Sequence, residues 1–165
     1  MHGYNPLGNG KLDILQQNDP VGIDKSENVS QTDPNILKYV RGKIMLAVEA
    51  HGEAYYVNPS DGNGYYLGHA DDAYQIMRNL SLGITDANLG KIPVAGTSDA
   101  GDLSLRQRLA GKILLAVESH GEAWYVHPVT LQRHYLGRAE DAYQIMREQG
   151  VGISNENLKR LRKVY

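Results

Sequence analysis

The chemistry this chain can offer sits in a few short clusters. Glu49-Ala50-His51-Gly52-Glu53 puts two carboxylates and an imidazole within five residues, and Glu118-Ser119-His120-Gly121-Glu122 repeats the arrangement. Either set, Glu49, His51 and Glu53 or Glu118, His120 and Glu122, has the side-chain types that ligate zinc or another divalent ion. The three would point the same way only if the strand ran straight through. A glycine in that place also reads as a polar hairpin turn. Glu118 and Glu122 are in addition a possible acid/base pair. His127 and His134 flank a second loop and would face each other across a hairpin. They read as a metal-binding pair, a pH-sensitive pair, or ordinary loop histidines.

Aromatic rings are the other resource. The chain has eleven Tyr, one Trp and no Phe. Tyr55, Tyr56, Tyr65, Tyr66, Trp124, Tyr125 and Tyr135 all fall in apolar, strand-like segments. Neighbours on a strand point to opposite faces, so one ring of each adjacent pair should be core and the other exposed. Exposed rings with Asn, Asp, His and Arg nearby suit sugar binding: the faces stack and the polar groups meet hydroxyls. The same tyrosines also suit the cover of a small core, since Tyr is amphipathic. The tail Lys159-Arg160-Leu161-Arg162-Lys163 is basic. It would meet an anionic polymer, or simply complement the negative end of a helix. No cysteine, G-x-S-x-G, phosphate-loop, dinucleotide glycine pattern or H-E-x-x-H is present, which argues against an enzyme and implies no cofactor.

These groups are positioned by a duplication. GKIMLAVEAHGEAYYV from Gly42 returns as GKILLAVESHGEAWYV from Gly111, an offset of 69 residues. Residues 42–92 and 111–161 share 29 identities in 51 positions without a gap. Fixed-period self-similarity of this kind marks tandem structural units. Asn58 and Tyr65 stand where the second copy has His127 and His134, so the histidine pair is not common to both.

Each copy reads as strand, strand, strand, helix, helix. Ile113–Val117 is a continuous apolar run, a well-buried strand. Glu122–Val126 is aromatic and β-branched, and Pro128 ends it. Arg133–Leu136 is a short third strand. A helix from about Ala139 has Glu140 and Asp141 in its first turn and apolar Ala142, Ile145 and Met146 on one face. Ser154 caps a last short helix, as Thr85 does in the first copy. Asp102-Leu103-Ser104 starts a further short helix. The predicted class is therefore α+β: two copies of a small module, each a three-stranded antiparallel sheet followed by an amphipathic helix and a short capping helix. The divisions are an irregular Gly/Asn/Asp/Pro-rich leader at 1–35, module 1 at 36–92, a small, polar, flexible linker at 93–102 and module 2 at 103–165. One module of about 55 residues is marginal alone, so the copies should pack together or on a neighbour.

With 165 residues, 41% apolar and 22% charged, the composition is that of a globular protein. No stretch approaches the roughly 20 apolar residues of a membrane span. The net charge of −2 argues against general nucleic-acid binding. Charge is divided, −6 over residues 1–102 and +4 over 103–165, so the halves could attract each other or the second could face an anionic partner.

The pattern G-K-I-L-L-A-V-E…G-E-A-W-Y-V…Y-L-G-R-A…D-A-Y-Q-I-M-R…G-I-S resembles a module repeated in secreted or surface-exposed bacterial proteins. The likeness covers both copies and implies an extracellular or cell-surface location rather than a chemistry. His2-Gly3-Tyr4-Asn5-Pro6-Leu7-Gly8 is similar to the exit of calcium-binding repeats of the thrombospondin type-3 kind. The D-x-D-G-D-G ligand loop of that family is absent, so no calcium ligand carries over. This second likeness implies a parent chain that continues upstream with further domains. The expected role is non-catalytic binding or anchoring in a bacterial envelope protein. The partner would be cell-wall glycan, peptidoglycan included, or an envelope protein. The alternatives are a purely structural or protein-interaction module, and a divalent-metal module at the His-Gly-Glu turns.

Overall fold

The computed structural model describes residues 28–165, so the thrombospondin-like stretch at 2–8 lies outside the described residues. Over the described part the chain is α+β, with two sheets and six helices. A short helix α1 (Pro34–Val40) precedes strands β1 (Ile44–Ala47), β2 (Ala54–Val57) and β3 (Gly64–Tyr66). Helix α2 (Ala70–Asn79), strand β4 (Leu82–Ile84) and helix α3 (Asp86–Leu89) follow. The order then recurs: α4 (Leu103–Arg108), β5 (Ile113–Ala116), β6 (Ala123–Val126), β7 (Arg133–Tyr135), α5 (Ala139–Gln149), β8 (Val151–Ile153), α6 (Asn155–Lys159) and β9 (Lys163–Val164).

The helix starts follow the capping residues. Thr85 and Ser154 accept hydrogen bonds from the backbone N–H groups of Asn88 and Asn157, and Asp102 accepts from Leu105. Each removes an orphan donor of a first turn. Asp33 caps α1 in a similar way through Asn35, so the helix begins at Pro34, just before the expected edge of the first unit.

The sheets depart from three antiparallel strands apiece. β1, β2 and β3 are antiparallel, as are β5, β6 and β7. To these the structure adds parallel strands taken from the other half. β8 pairs with β1 through Met45↔Val151 and Ala47↔Ile153, and β4 pairs with β5 through Leu82↔Leu114 and Ile84↔Ala116. β9 lies parallel to β3, giving a five-stranded sheet β8-β1-β2-β3-β9 beside a four-stranded sheet β4-β5-β6-β7. Pro93–Ala95 runs along β7 where β9 runs along β3: Arg133 N donates to Pro93 O, and Ala95 N donates to Arg133 O. Each half thus completes the sheet of the other.

Both faces of each sheet are covered. Ile44, Tyr56, Met77, Ile113, Tyr125 and Met146 belong to one central cluster beneath α2 and α5. On the outer face of the first sheet Met45, Tyr55 and Val57 meet Ile36, Val40 and Leu161. On the outer face of the second, Leu114 and Val126 meet Leu89, Ile92, Leu105 and Leu109. Two-sided burial is why the strands read as continuous apolar runs rather than alternating ones.

The halves meet about an approximate two-fold at Gly42 and Gly111. A Cβ on Gly42 would lie 2.6 Å from Gly111 Cα, and one on Gly111 would lie 2.5 Å from Gly42 Cα. The Tyr56 hydroxyl donates to Gly111 O at 2.6 Å, and the Tyr125 hydroxyl donates to Gly42 O at 2.7 Å. Their rings stand edge to face, 6.3 Å apart.

Candidate functional site

The two-sided cover changes the status of the aromatic set. Tyr55, Tyr56 and Tyr125 are each 1% exposed. The expectation of one buried and one exposed ring per adjacent pair fails at Tyr55-Tyr56, because each ring finds a core on its own side of the sheet. Burial pushes the hydroxyls of Tyr55, Tyr56 and Tyr125 above the ordinary phenol range. Tyr66, Tyr65 and Trp124 are half-buried, and Tyr135 is 46% exposed.

Both sheets bring rings of this set towards the surface. Trp124 packs on Tyr135 at 5.0 Å, and the Arg133 guanidinium sits over the indole at 4.2 Å. Arg133 also donates from Nε to Ile92 O at 2.7 Å, which holds it there. The indole Nε1 is buried without a hydrogen-bond partner among the described residues. In the other sheet Tyr66 lies between Tyr55 at 5.5 Å and Tyr165 at 5.9 Å.

The His-Gly-Glu turns do not gather three ligands each. Glu49 reaches across to the other half and accepts from Asn155 N at 2.7 Å; Glu118 likewise accepts from Asp86 N at 2.9 Å. Each therefore serves the first turn of a short helix, α6 or α3. Glu53 instead accepts from His51 N at 3.0 Å and meets His51 Nδ1 at 3.1 Å. Glu122 meets His120 in the same way at 3.0 and 3.3 Å. Its own backbone amide and that of His120 hold the Glu122 carboxyl below its usual range. Among the described residues no group of three His, Cys, Asp or Glu is placed to hold a metal ion. The strand does not run straight: Gly52 and Gly121 adopt φ of +80° and +76°, and across the turn only the histidine and the second glutamate meet, while Glu49 and Glu118 point to the other half.

His127 and His134 do face each other, with ring centres 6.2 Å apart, and Tyr125 lies edge-on to His127. His127 Nδ1 accepts from Val129 N and Thr130 N, so that nitrogen is unprotonated. Burial lowers the affinity of both rings for a proton, and the positive charges of His134 and Lys43 lower that of His127 further. In the basic tail Arg160 pairs with Asp33 at 2.8 Å and Lys163 is buried, with Nζ donating to Leu158 O and Leu161 O. Arg162 donates to Ser30 O. Much of that charge is therefore engaged within the chain.

One cavity that the sequence did not reveal as a site brings an imidazole, a carboxylate, a guanidinium and two phenol rings together from both halves. It is a cleft of about 390 Å³ between the β1–β2 turn of one half and α5 of the other, lined by His51, Glu53, Tyr66, Gly68, Tyr143 and Arg147. Tyr143 and Arg147 are in the DAYQIMR helix, which reads as an amphipathic cover for the core. Their i, i+4 spacing, which puts them on one face, was the available signal.

No family model, curated protein or solved structure matches this chain. No helix among the described residues is long and apolar enough to cross a membrane.

Proposed function

We propose that this chain is a non-catalytic binding module of a secreted or surface-exposed bacterial protein, made of two copies of one α+β unit and docking on cell-wall glycan. The observation that carries the reading is the ring edge of the second sheet. There Tyr135 is 46% exposed, backed by Trp124 and flanked by Arg133. A flat ring with cationic donors beside it matches what a sugar offers, an apolar face and a rim of hydroxyls. The body behind it is braced by cross-half pairing, which suits anchoring more than a moving catalytic apparatus.

The test is co-sedimentation with purified sacculi, wild type beside Tyr135→Ala and Trp124→Ala, with circular dichroism as the folding control. Retention of the wild type and its loss in folded Tyr135→Ala supports the reading. Folded wild type left in the supernatant removes cell-wall glycan as the partner. Docking to an envelope protein is the second reading. It is favoured by edge strands β4 and β8, whose outer sides carry no strand among the described residues, with Leu82, Val117, Val48 and Val151 exposed beside them.

A further inference from the structure

The two halves place the same residue types over the same turns, yet they close them differently. Over the β5–β6 turn, Arg78 donates to Gly121 O at 2.9 Å and to the Tyr74 hydroxyl at 3.2 Å, and that hydroxyl donates to Gly137 O at 3.3 Å. Arg78 and Tyr74 thereby cover the turn. Over the β1–β2 turn, the corresponding Arg147 bonds only the Tyr143 hydroxyl among the described residues, at 3.0 Å. It lies against the Tyr143 ring, 5.4 Å from its centre, as Arg78 lies against Tyr74 at 5.5 Å, but it reaches no turn carbonyl, and Tyr143 is 41% exposed. A Cβ built on Gly52 would meet nothing within 4 Å. One cleft is occupied by the chain's own guanidinium; the other stands open.

The floor of the open cleft holds a carboxylate that is unusual for its burial. The Glu53 side chain is only 7% exposed, whereas its counterpart Glu122 is 29% exposed. Buried carboxylates require partners. Among the described residues Glu53 has one hydrogen bond to each oxygen, both from His51. A carboxylate oxygen has two acceptor sites, so each retains one. Across the cleft Arg147 retains most of its five donors. Acceptors on one wall, donors on the other and the Tyr66 and Tyr143 rings between them describe a binding site with directional polar groups and apolar faces. Its volume lies in the range that holds a small ligand.

Charge selects the ligand class. The Glu53 carboxylate repels an anion, and the Arg147 guanidinium repels a cation. A neutral ligand bearing both donors and acceptors satisfies both walls: its hydroxyls donate to Glu53 and accept from Arg147, and its ring face covers Tyr143. We infer that the cleft formed by His51, Glu53, Tyr66, Tyr143 and Arg147 is a binding site for a neutral saccharide, assembled from both halves and present once per chain because Arg78 and Tyr74 fill its counterpart. The inference rests on the glycan-docking reading and adds a second saccharide contact to the one at the Tyr135 edge.

The test titrates the full ¹⁵N-labelled chain with two neutral β-1,4-linked disaccharides, N,N′-diacetylchitobiose and cellobiose. The expected result is saturable chemical-shift change at the Gly52 and Gly68 amides with either sugar, at one site per chain. Glu53→Gln and Arg147→Gln should each weaken binding about tenfold, the effect of losing a hydrogen bond to a charged group. Arg147 is on an exposed helix face, so its variant keeps the test decisive if Glu53→Gln fails to fold. Arg78→Gln should leave the affinity of the open cleft unchanged. Absence of shifts with both sugars, shifts at Tyr135 instead, or unchanged affinity in folded Arg147→Gln overturns the inference. Sacculi retained through Tyr135 with no disaccharide bound in the cleft would overturn this site and leave the docking reading standing. Disaccharide bound in the cleft by a chain that sacculi do not retain would do the reverse.

Discussion

At the scale of single residues, the contact of Gly42 with Gly111 sets how closely the halves approach. Both take positive φ, +74° and +75°, and each lies where the other's side chain would be. Gly42→Ala therefore meets two penalties, a left-handed backbone that disfavours Cβ and a collision with backbone that cannot rotate away. A loss of about 2–4 kcal/mol is expected, read from the urea midpoint at unchanged m. Gly52→Ala is the internal comparison. It has φ +80° but open space around it, and should lose only the backbone part, about 1 kcal/mol. Equal losses in the two variants would show that the two-fold contact is not close-packed. The carbonyls of both glycines are also the acceptors of Tyr56 and Tyr125, so the same two positions anchor the central hydrogen bonds.

At the scale of elements, the β6–β7 hairpin carries a pH dependence that its counterpart β2–β3 lacks. His127 and His134 are held neutral by burial, with Lys43 and the second imidazole adding to the effect at His127 and Glu148 opposing it at His134. In the unfolded chain both protonate near the ordinary value of about 6.5. The unfolded state then binds more protons than the folded one as pH falls through that value, so stability is full above it and lost below it. Thermal unfolding at pH 7.5 and pH 5.0 should show the drop. Replacing the pair by the residues their counterparts carry, His127→Asn with His134→Tyr, should flatten it. A double variant with an unaltered pH slope would assign the dependence elsewhere. The hairpin was readable in sequence as two strands around a polar loop, and the facing of the two imidazoles followed from strand pairing. Their partial burial did not, because it comes from packing around Tyr125 rather than from any local pattern.

At the scale of the molecule, the exchange of β4 and β8 makes the halves interdependent. Residues 28–97 alone would lack β8, α6 and β9; residues 98–165 alone would lack β4, α3 and the strand-like Pro93–Ala95. Each would leave an open strand edge and an outer face only partly covered, by α1 in one fragment and α4 in the other. Neither fragment is expected to give a cooperative monomeric unfolding transition, while the two mixed or co-expressed should reassemble into one body with the transition of the intact chain. Sedimentation and circular dichroism of the fragments, apart and together, test this. A fragment that folds alone as a monomer would mean that its own β–α segment can close back on its own sheet.

The duplication, the caps at Thr85, Asp102 and Ser154, the amphipathic helices and the three antiparallel strands of each half were all legible in the chain, because each rests on a local pattern: period, cap residue or apolar run. Leu82-Gly83-Ile84 and Val151-Gly152-Ile153 did not read as strands. Each is three residues long with a central glycine and two exposed positions, and each is a strand only through a parallel partner in the other half. The HGE turns were visible as chemistry, but tertiary structure divided their labour, sending Glu49 and Glu118 to distant helix ends and leaving Glu53 at the floor of a cleft. The cleft itself unites residues from 46 to 147 and stands open because Arg147 bonds only Tyr143 among the described residues, whereas Arg78, which rests on Tyr74 in the same way, also binds a turn carbonyl. Two helices with the same DAYQIMR sequence thus present different surfaces, because the side-chain partner is chosen by what surrounds each turn in space.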